Sequence, residues 1–272
     1  MANVLKKNKT KGRKTKRGGR KFRHKTENLV IFSTNSAGLK SKADSLKNEV
    51  NTLKAAIFTI QETHFKKKGK FKMPNYEIFE AIRSKTNGGT MIGAHKALKP
   101  MLVSEYSEDF ELLVVEIQVR NKEIRVISGY GPQESWAESQ RIPFFIALES
   151  EIVKAEMTGK SLIIEMDSNS KLGPEYIPND PHVQTPNGRL LAGIMERHGL
   201  IVANGLADKC TGLITRKRIT KKKTETAVLD FFVVCTQVLQ FVDRKVIDEE
   251  KQYVLSNYSS KGVTKRTAII TQ

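Results

Sequence analysis

From Asn28 onward, apolar runs and polar breaks alternate in a way that predicts one ordered element after another. NLVIFSTN is short, apolar and β-branched, and predicts a buried strand ending at Asn35. Leu39, Ala43, Leu46, Val50 and Leu53 then recur at alternating steps of four and three, one apolar stripe of a helix. AAIFTIQET returns as a strand ending in Glu62. Strand, helix, strand is the pattern of an α/β protein.

Four strand-like runs follow the basic segment HFKKKGKFK: YEIFEAI, GGTMIGA, FELLVVEIQV and EIRVISGY. Their turn-rich separators TNGG, SEYSED and RNKE predict an antiparallel meander. A helix is predicted from Ser135 to about Met157, with Ser135 and Glu138 as a capping box and Gly159 ending it. Phe145, Leu148 and Ile152 face the core in that helix. SLIIEMDSNS reads as a strand, GRLLAGIMERHG as a helix, and LIVAN, TAVLDFFVV and LQFVDRKVI as further strands. With no internal repeat and no dividing linker, residues 28–272 read as one domain.

Charge adds a second feature. The formal net charge is +18, and residues 1–25 hold twelve lysines and arginines and no acid. Residues 1–27 therefore read as a disordered basic tail, able to bind phosphates nonspecifically or to serve as a nuclear or nucleolar address. Either role places the protein near nucleic acid, which through the tail includes RNA. The expected location is the nucleus or the cytoplasm. The basic start lacks the apolar stretch of a secretory signal, and no run approaches the ~20 apolar residues of a membrane span. Cys210 and Cys235 are too few for a disulfide framework, and no cysteine or histidine spacing suits zinc.

The chemistry gathers at strand ends. One predicted strand stops at Asn35, one at Glu62, one at Tyr130, and one at Asp167 and Asn169; Asp230 interrupts another. In open α/β sheets ligands bind at strand ends, and a lone acid within an apolar run needs a partner. Carboxylates, amides and a phenol at such positions suit a hydrated divalent cation and a phosphate. Each residue also has a structural reading, as a turn former, a surface acid, a packed ring or a paired carboxylate.

The order Asn35, QET at 61–63, YGP at 130–132, DSN at 167–169 and a late-strand Asp resembles the endonuclease/exonuclease/phosphatase superfamily. The finer text STNSAGLKSK, QETHF, SGYGPQE, NGRLL and TGLITRKR…ETAVLDFF is most similar to the endonuclease domain of non-LTR (LINE-like) retrotransposons. The likeness covers about residues 28–258. It implies a four-layer α/β sandwich, two mostly antiparallel sheets face to face with helices outside. It also implies Mg²⁺, with Mn²⁺ as a substitute, held by Glu62 with help from Asn35. Asp167 would orient or deprotonate the attacking water, Asn169 would hold the scissile phosphate, and Tyr130 would stabilise its developing charge. Asp230 would orient a histidine. Lys66, Lys67, Lys68 and Lys70, with Arg216, Arg218, Lys221, Lys222 and Lys223, would bind nucleic acid. The implied product is a monomer or a piece of a longer polyprotein with reverse transcriptase.

Three departures qualify that picture. Relatives open their last core strand with an Asp-His pair, whereas no histidine follows His198 here and YVLSNYSSKGVTKR leads only to TAIITQ. The terminal strand thus reads as truncated or degenerate. Met166 replaces a usual Gly, and Ala37 stands where many relatives carry an acid. The expectation is an impaired DNA-nicking phosphodiesterase. The alternatives are a noncatalytic nucleic-acid-binding remnant and a phosphatase of small esters or phosphoinositides.

Overall fold

The computed structural model describes residues 28–83, 88–206, 208–219, 224–242, 244–248 and 265–271. The tail at 1–27 and Lys221, Lys222 and Lys223 lie outside them, as does the side chain of Arg218. No described helix is long and apolar enough to cross a membrane.

β1 (Asn28–Asn35) runs parallel to β2 (Ile57–Gln61), and α1 (Ala43–Leu53) makes the crossover. β3 (Tyr76–Ala81) and β4 (Thr90–His95) extend that sheet antiparallel to β2. β5 (Met101–Tyr106), β6 (Glu111–Val119) and β7 (Lys122–Tyr130) begin a second sheet. α2 (Glu138–Met157) returns the chain to β8 (Ser161–Asp167), parallel to β7. After α3 (Pro186–Arg197) come β9 (Leu200–Val202), the two-residue β10 (Cys210–Thr211) and the hairpin of β11 (Arg216–Ile219) and β12 (Thr224–Ala227). β13 (Asp230–Cys235), α4 (Thr236–Leu239), β14 (Arg244–Asp248) and β15 (Lys265–Thr271) complete the chain. The sheets have the orders β10-β14-β15-β1-β2-β4-β3 and β5-β6-β7-β8-β13-β9.

Three apolar clusters make four layers. Leu46 and Val50 of α1 pack with Phe32, Phe58 and Met91 on the outer face of the first sheet. Leu29, Ile31, Ile57 and Ile92 meet Leu113, Val115, Val126, Ile163 and Phe232 between the sheets. Phe144, Leu148 and Leu191 of the outer helices cover the far face of the second sheet with Leu112, Ile127, Ile164 and Phe231. Strand side chains alternate in direction, so every central strand feeds two cores, which is why these runs are apolar without a break. Two mixed sheets with helices outside is the architecture expected from the sequence.

Several local expectations are corrected. The meander is divided: β3 and β4 pair in one sheet, β6 and β7 in the other, and the SEY of the supposed separator belongs to β5. Ser135 does not cap α2. The Trp136 N–H closes a separate turn on the Gln133 carbonyl (3.0 Å), and the helix begins after Ala137, whose N–H donates to Gln140 Oε1 (3.2 Å). Asp230 opens β13 rather than interrupting a strand, because Val228 and Leu229 leave the ladder. There the Leu229 carbonyl accepts from the backbone and hydroxyl of Ser168, each at 2.8 Å. The first half of LQFVDRKVI lies in α4 and a turn, and only its end is β14.

Sheet packing on the outer side leaves one position no tolerance. A Cβ added to Gly93 of β4 would lie 2.0 Å from a ring carbon of the buried Phe58. Gly93→Ala is expected to destabilise the fold by about 1–3 kcal/mol through overpacking. A lower urea midpoint at unchanged m-value checks this.

Candidate active site

At one rim of the sandwich, strands of both sheets end together. Asn35 closes β1 level with Gln61 of β2, and the next residue, Glu62, turns away with φ of 52°. Across the gap, Tyr130 of β7, Asp167 of β8 and Asp230 of β13 stand in one register row, which Glu111 of β6 extends beyond Tyr130. Residues paired across strands share a face, so these four side chains belong to one side of the second sheet.

The rows meet at a single amide. Asn35 Nδ2 donates to Glu62 Oε1 at 2.8 Å and to Asp167 Oδ2 at 2.9 Å. The amide oxygen accepts from the Ala37 N–H at 3.0 Å, fixing which way the side chain points. Loop backbone supports this: the Ser36 N–H donates to the Gln61 carbonyl (2.9 Å) and the Gly38 N–H to that of Glu62 (2.8 Å). Asp167 Oδ1 accepts the Asn169 N–H at 3.2 Å, an Asx turn that accommodates Asn169 at φ of 48°. Asn169 Nδ2 donates to the Gly131 carbonyl at 2.8 Å.

The Tyr130 hydroxyl faces Glu62 and Asn169. Burial, and then the charges of Asp167 and Glu62, push its phenol well above the ordinary tyrosine range. The group is a proton donor at any physiological pH. Burial likewise raises Glu111, against the Gly89 N–H at 3.0 Å and the Arg83 guanidinium. Lys42 is buried beneath the Ser36 carbonyl, which accepts from its ammonium; burial lowers its pKa and the nearby Glu62 opposes that.

Asp230 is buried, and its backbone N–H reaches Thr215 Oγ1 at 3.3 Å. Asn169 lines a groove of about 750 Å³ with Gln133, Lys171, His182, Thr185 and Arg216. His182 lies 2.6 Å from Asp180 and 2.8 Å from the Thr226 carbonyl, so it ties β12 to the loop before α3. The exposed Lys66, Lys67, Lys68 and Lys70 stand apart from this groove. Lys68 pairs with Glu105 at 2.5 Å and lines a different depression along β3.

The sequence-derived residues Asn35, Glu62, Tyr130, Asp167 and Asn169 thus converge, with Asp230 in their row. Glu111, Lys42, His64 and Asn187 were missed. His64, whose Nε2 is 3.6 Å from Glu62 Oε2, had a signal in its place beside Glu62. Asn187 stands in the quoted NGRLL text, which gives no sign that its side chain reaches the Pro132 carbonyl (2.8 Å) across 55 residues.

No family model matches the chain, and no curated protein does. Solved structures do. The endonuclease domain of TRAS1, a telomere-specific non-LTR retrotransposon, aligns with a TM-score of 0.63 at 20% identity over 88% of this chain and 98% of that one. An AP endonuclease from Leishmania major aligns at 0.68 and 13% identity, over 90% and 88%. A 3'-5' exonuclease (NExo) from Neisseria Meningitidis aligns at 0.63 and 16%, over 88% and 98%. This is the fold of the endonuclease/exonuclease/phosphatase superfamily.

In that fold the donor set can be tested for a cation. Among the described residues no three His, Cys, Asp or Glu side chains form a metal-holding group. Magnesium, however, is commonly held by one or two protein carboxylates, water and a substrate phosphate. Glu62 and Asp167, sharing one amide donor, fit that requirement.

The buried phenol gives a pH test with a definite sign. Because its folded pKa is raised, Tyr130 keeps its proton through the ordinary tyrosine titration near pH 10. Tyr130→Phe should leave the 295 nm titration amplitude below about pH 11 unchanged. A loss of one tyrosine's amplitude there would contradict the burial argument.

Proposed function

We propose that this chain is a metal-dependent phosphodiester hydrolase that nicks DNA in the manner of a retrotransposon endonuclease. The observation that carries the reading is the Asn35 amide holding Glu62 and Asp167 together beside a groove lined by Asn169 and Arg216. A polyanion suits the net charge of +18 better than a small ester does. The likeness to TRAS1 and to the AP endonuclease supports the nuclease class.

Glu62 would hold Mg²⁺, or Mn²⁺ in its place; bound there, the cation supplies Lewis-acid polarisation of the phosphate and charge neutralisation at the leaving 3′-oxygen. Asn35, whose amide oxygen is engaged by Ala37, sets the two carboxylates in place. Asp167 accepts the proton of the attacking water, whose oxygen bonds to phosphorus as the bond to the 3′-oxygen breaks. The Asn169 amide and the Tyr130 hydroxyl donate to the phosphate oxygens as their charge rises. Asp230 completes the row beside Asp167.

No histidine follows His198, so one donor typical of the superfamily is missing from the sequence. Losing a single transition-state donor costs about 10²–10³ in rate, so slow nicking is what we infer for residues 1–272 as tested by themselves. The basic tail fits a nuclear location with DNA, and RNA as a second ligand. The retrotransposon type fits a piece of a longer product with reverse transcriptase.

Supercoiled-plasmid nicking with Mg²⁺ tests this. Glu62→Ala and Asp167→Ala are each expected to lower nicking at least about 10²-fold and leave DNA affinity within a factor of about two. DNA binding without nicking in the unaltered chain would favour the noncatalytic remnant. Nicking that survives both substitutions would remove the proposed machinery.

A further inference from the structure

The chain's one tryptophan, Trp136, follows Tyr130 by six residues on the loop leaving β7. Its indole is half-buried, and it joins none of the three apolar clusters formed by the described residues. The Arg83 guanidinium lies over the ring, 5.6 Å from the centroid. Arg83 Nε in turn stands 3.8 Å from Glu111 Oε1, and Glu111 is the register partner of Tyr130. This cation–aromatic pair is therefore attached to the row containing Tyr130 and Asp167, at its outer end.

The loop is held without help from the indole. The Gly131 N–H donates to the Asp167 carbonyl at 2.7 Å, and Asn187 Nδ2 donates to the Pro132 carbonyl at 2.8 Å. The Trp136 carbonyl accepts from Arg141 Nε at 3.1 Å, and Arg141 Nη1 is fixed by Asn187 Oδ1 at 2.7 Å. Backbone and polar side chains thus provide a rigid mount, and a smaller residue at 136 would satisfy every one of these bonds. Leaving part of a large apolar ring in water is unfavourable, and here no core gains from it. A flat π face on a fixed support, backed by a guanidinium, is the feature that proteins use to stack on nucleobases without regard to sequence.

We propose that Trp136, backed by Arg83, is a stacking platform for a nucleobase of the substrate strand next to the cleaved phosphodiester. The inference rests on the phosphodiesterase reading and adds a substrate contact to it. The ligand class is a nucleobase that is unpaired or at a distorted step, because a base face must be exposed to be stacked upon.

The Glu62→Ala chain, which does not cut, serves as the binding form. With a single tryptophan, titration with a DNA oligonucleotide duplex in Mg²⁺ reads the indole directly, and quenched emission is expected. By anisotropy of a labelled duplex, Trp136→Ala should bind about tenfold more weakly, while Trp136→Phe stays within about threefold. Stacking releases no counterions, so Trp136→Ala should keep the dependence of affinity on salt. A folding defect would be separated by circular dichroism, and Trp136→Phe carries the test if the alanine chain is unstable. Unchanged emission at saturating DNA, or undiminished affinity in Trp136→Ala, overturns the platform and leaves Glu62-dependent nicking standing. Absence of both nicking and DNA binding in the unaltered chain overturns the function itself and the platform with it.

Discussion

Two carboxylates from two different sheets rest on one amide nitrogen. Glu62 follows a strand of the first sheet and Asp167 ends a strand of the second, and Asn35 Nδ2 donates to both. Like charges brought together out of water repel, and neither can be left bare. A shared donor resolves that only if β1, β2 and β8 stop at the same level. Register sets Asn35 level with Gln61 in one sheet and Asp167 level with Tyr130 and Asp230 in the other, and the Asn35–Asp167 bond of 2.9 Å brings the two ends together. The chain then leaves each strand abruptly, through left-handed Ala37, Glu62 and Asn169, conformations L-residues adopt only where surrounding contacts hold them. That cost is borne at the site and supported by the ladders behind it.

One row further in, the gap between the sheets remains polar. Ser128 sits level with Glu165, and its hydroxyl meets Thr90 at 2.9 Å and the Gln61 amide at 3.3 Å. On the other side, Asn204 donates to the Asp230 carbonyl at 2.9 Å and accepts from the Phe232 N–H and the buried Lys245, each at 2.9 Å. Burial lowers the Lys245 pKa, while Glu165 works to keep the charge. Hydrogen-bonded partners in low dielectric define geometry more sharply than apolar contacts, and here they hold the strands that carry Tyr130, Asp167 and Asp230.

Much of this was legible because the chemistry interrupts apolar runs. Asn35, Glu62, Tyr130, Asp167 and Asn169 each sit where a buried strand turns polar, and the structure brings all five together. Sheet membership was not legible. YEIFEAI and EIRVISGY have the same alternation, and nothing local says that β5 moves the chain to the second sheet. Glu111 passed as one polar position within FELLVVEIQV, since its place beside the site depends on register with Tyr130. The first half of TAVLDFFVV was misread because Val228 and Leu229 are buried outside any strand, and a short apolar run cannot report which ladder its backbone joins. Asn187, Asn204 and Thr215 act through side-chain bonds to distant backbone, for which the sequence has no short-range sign.

The three departures named from the sequence separate by direction of side chain. Met166 points away from Asp167 and Tyr130, because neighbours along a strand alternate; it is buried in the outer core with Phe231 and the helices. A larger residue there fills a helix-facing space and leaves the carboxylate row unaltered. Ala37 is different: its N–H orients the Asn35 amide, so the backbone function survives while no side-chain carboxylate is present. β15 shows the same division. Its backbone pairs with β1 from Asn28 to Thr34 and with β14, covering the strand that delivers Asn35, although its text lacks an Asp-His pair. Ladder hydrogen bonds demand only peptide groups, whereas proton transfer and phosphate binding demand particular side chains. A chain can therefore retain every strand of the sandwich, and the amide that joins its sheets, while the chemistry at the rim changes residue by residue.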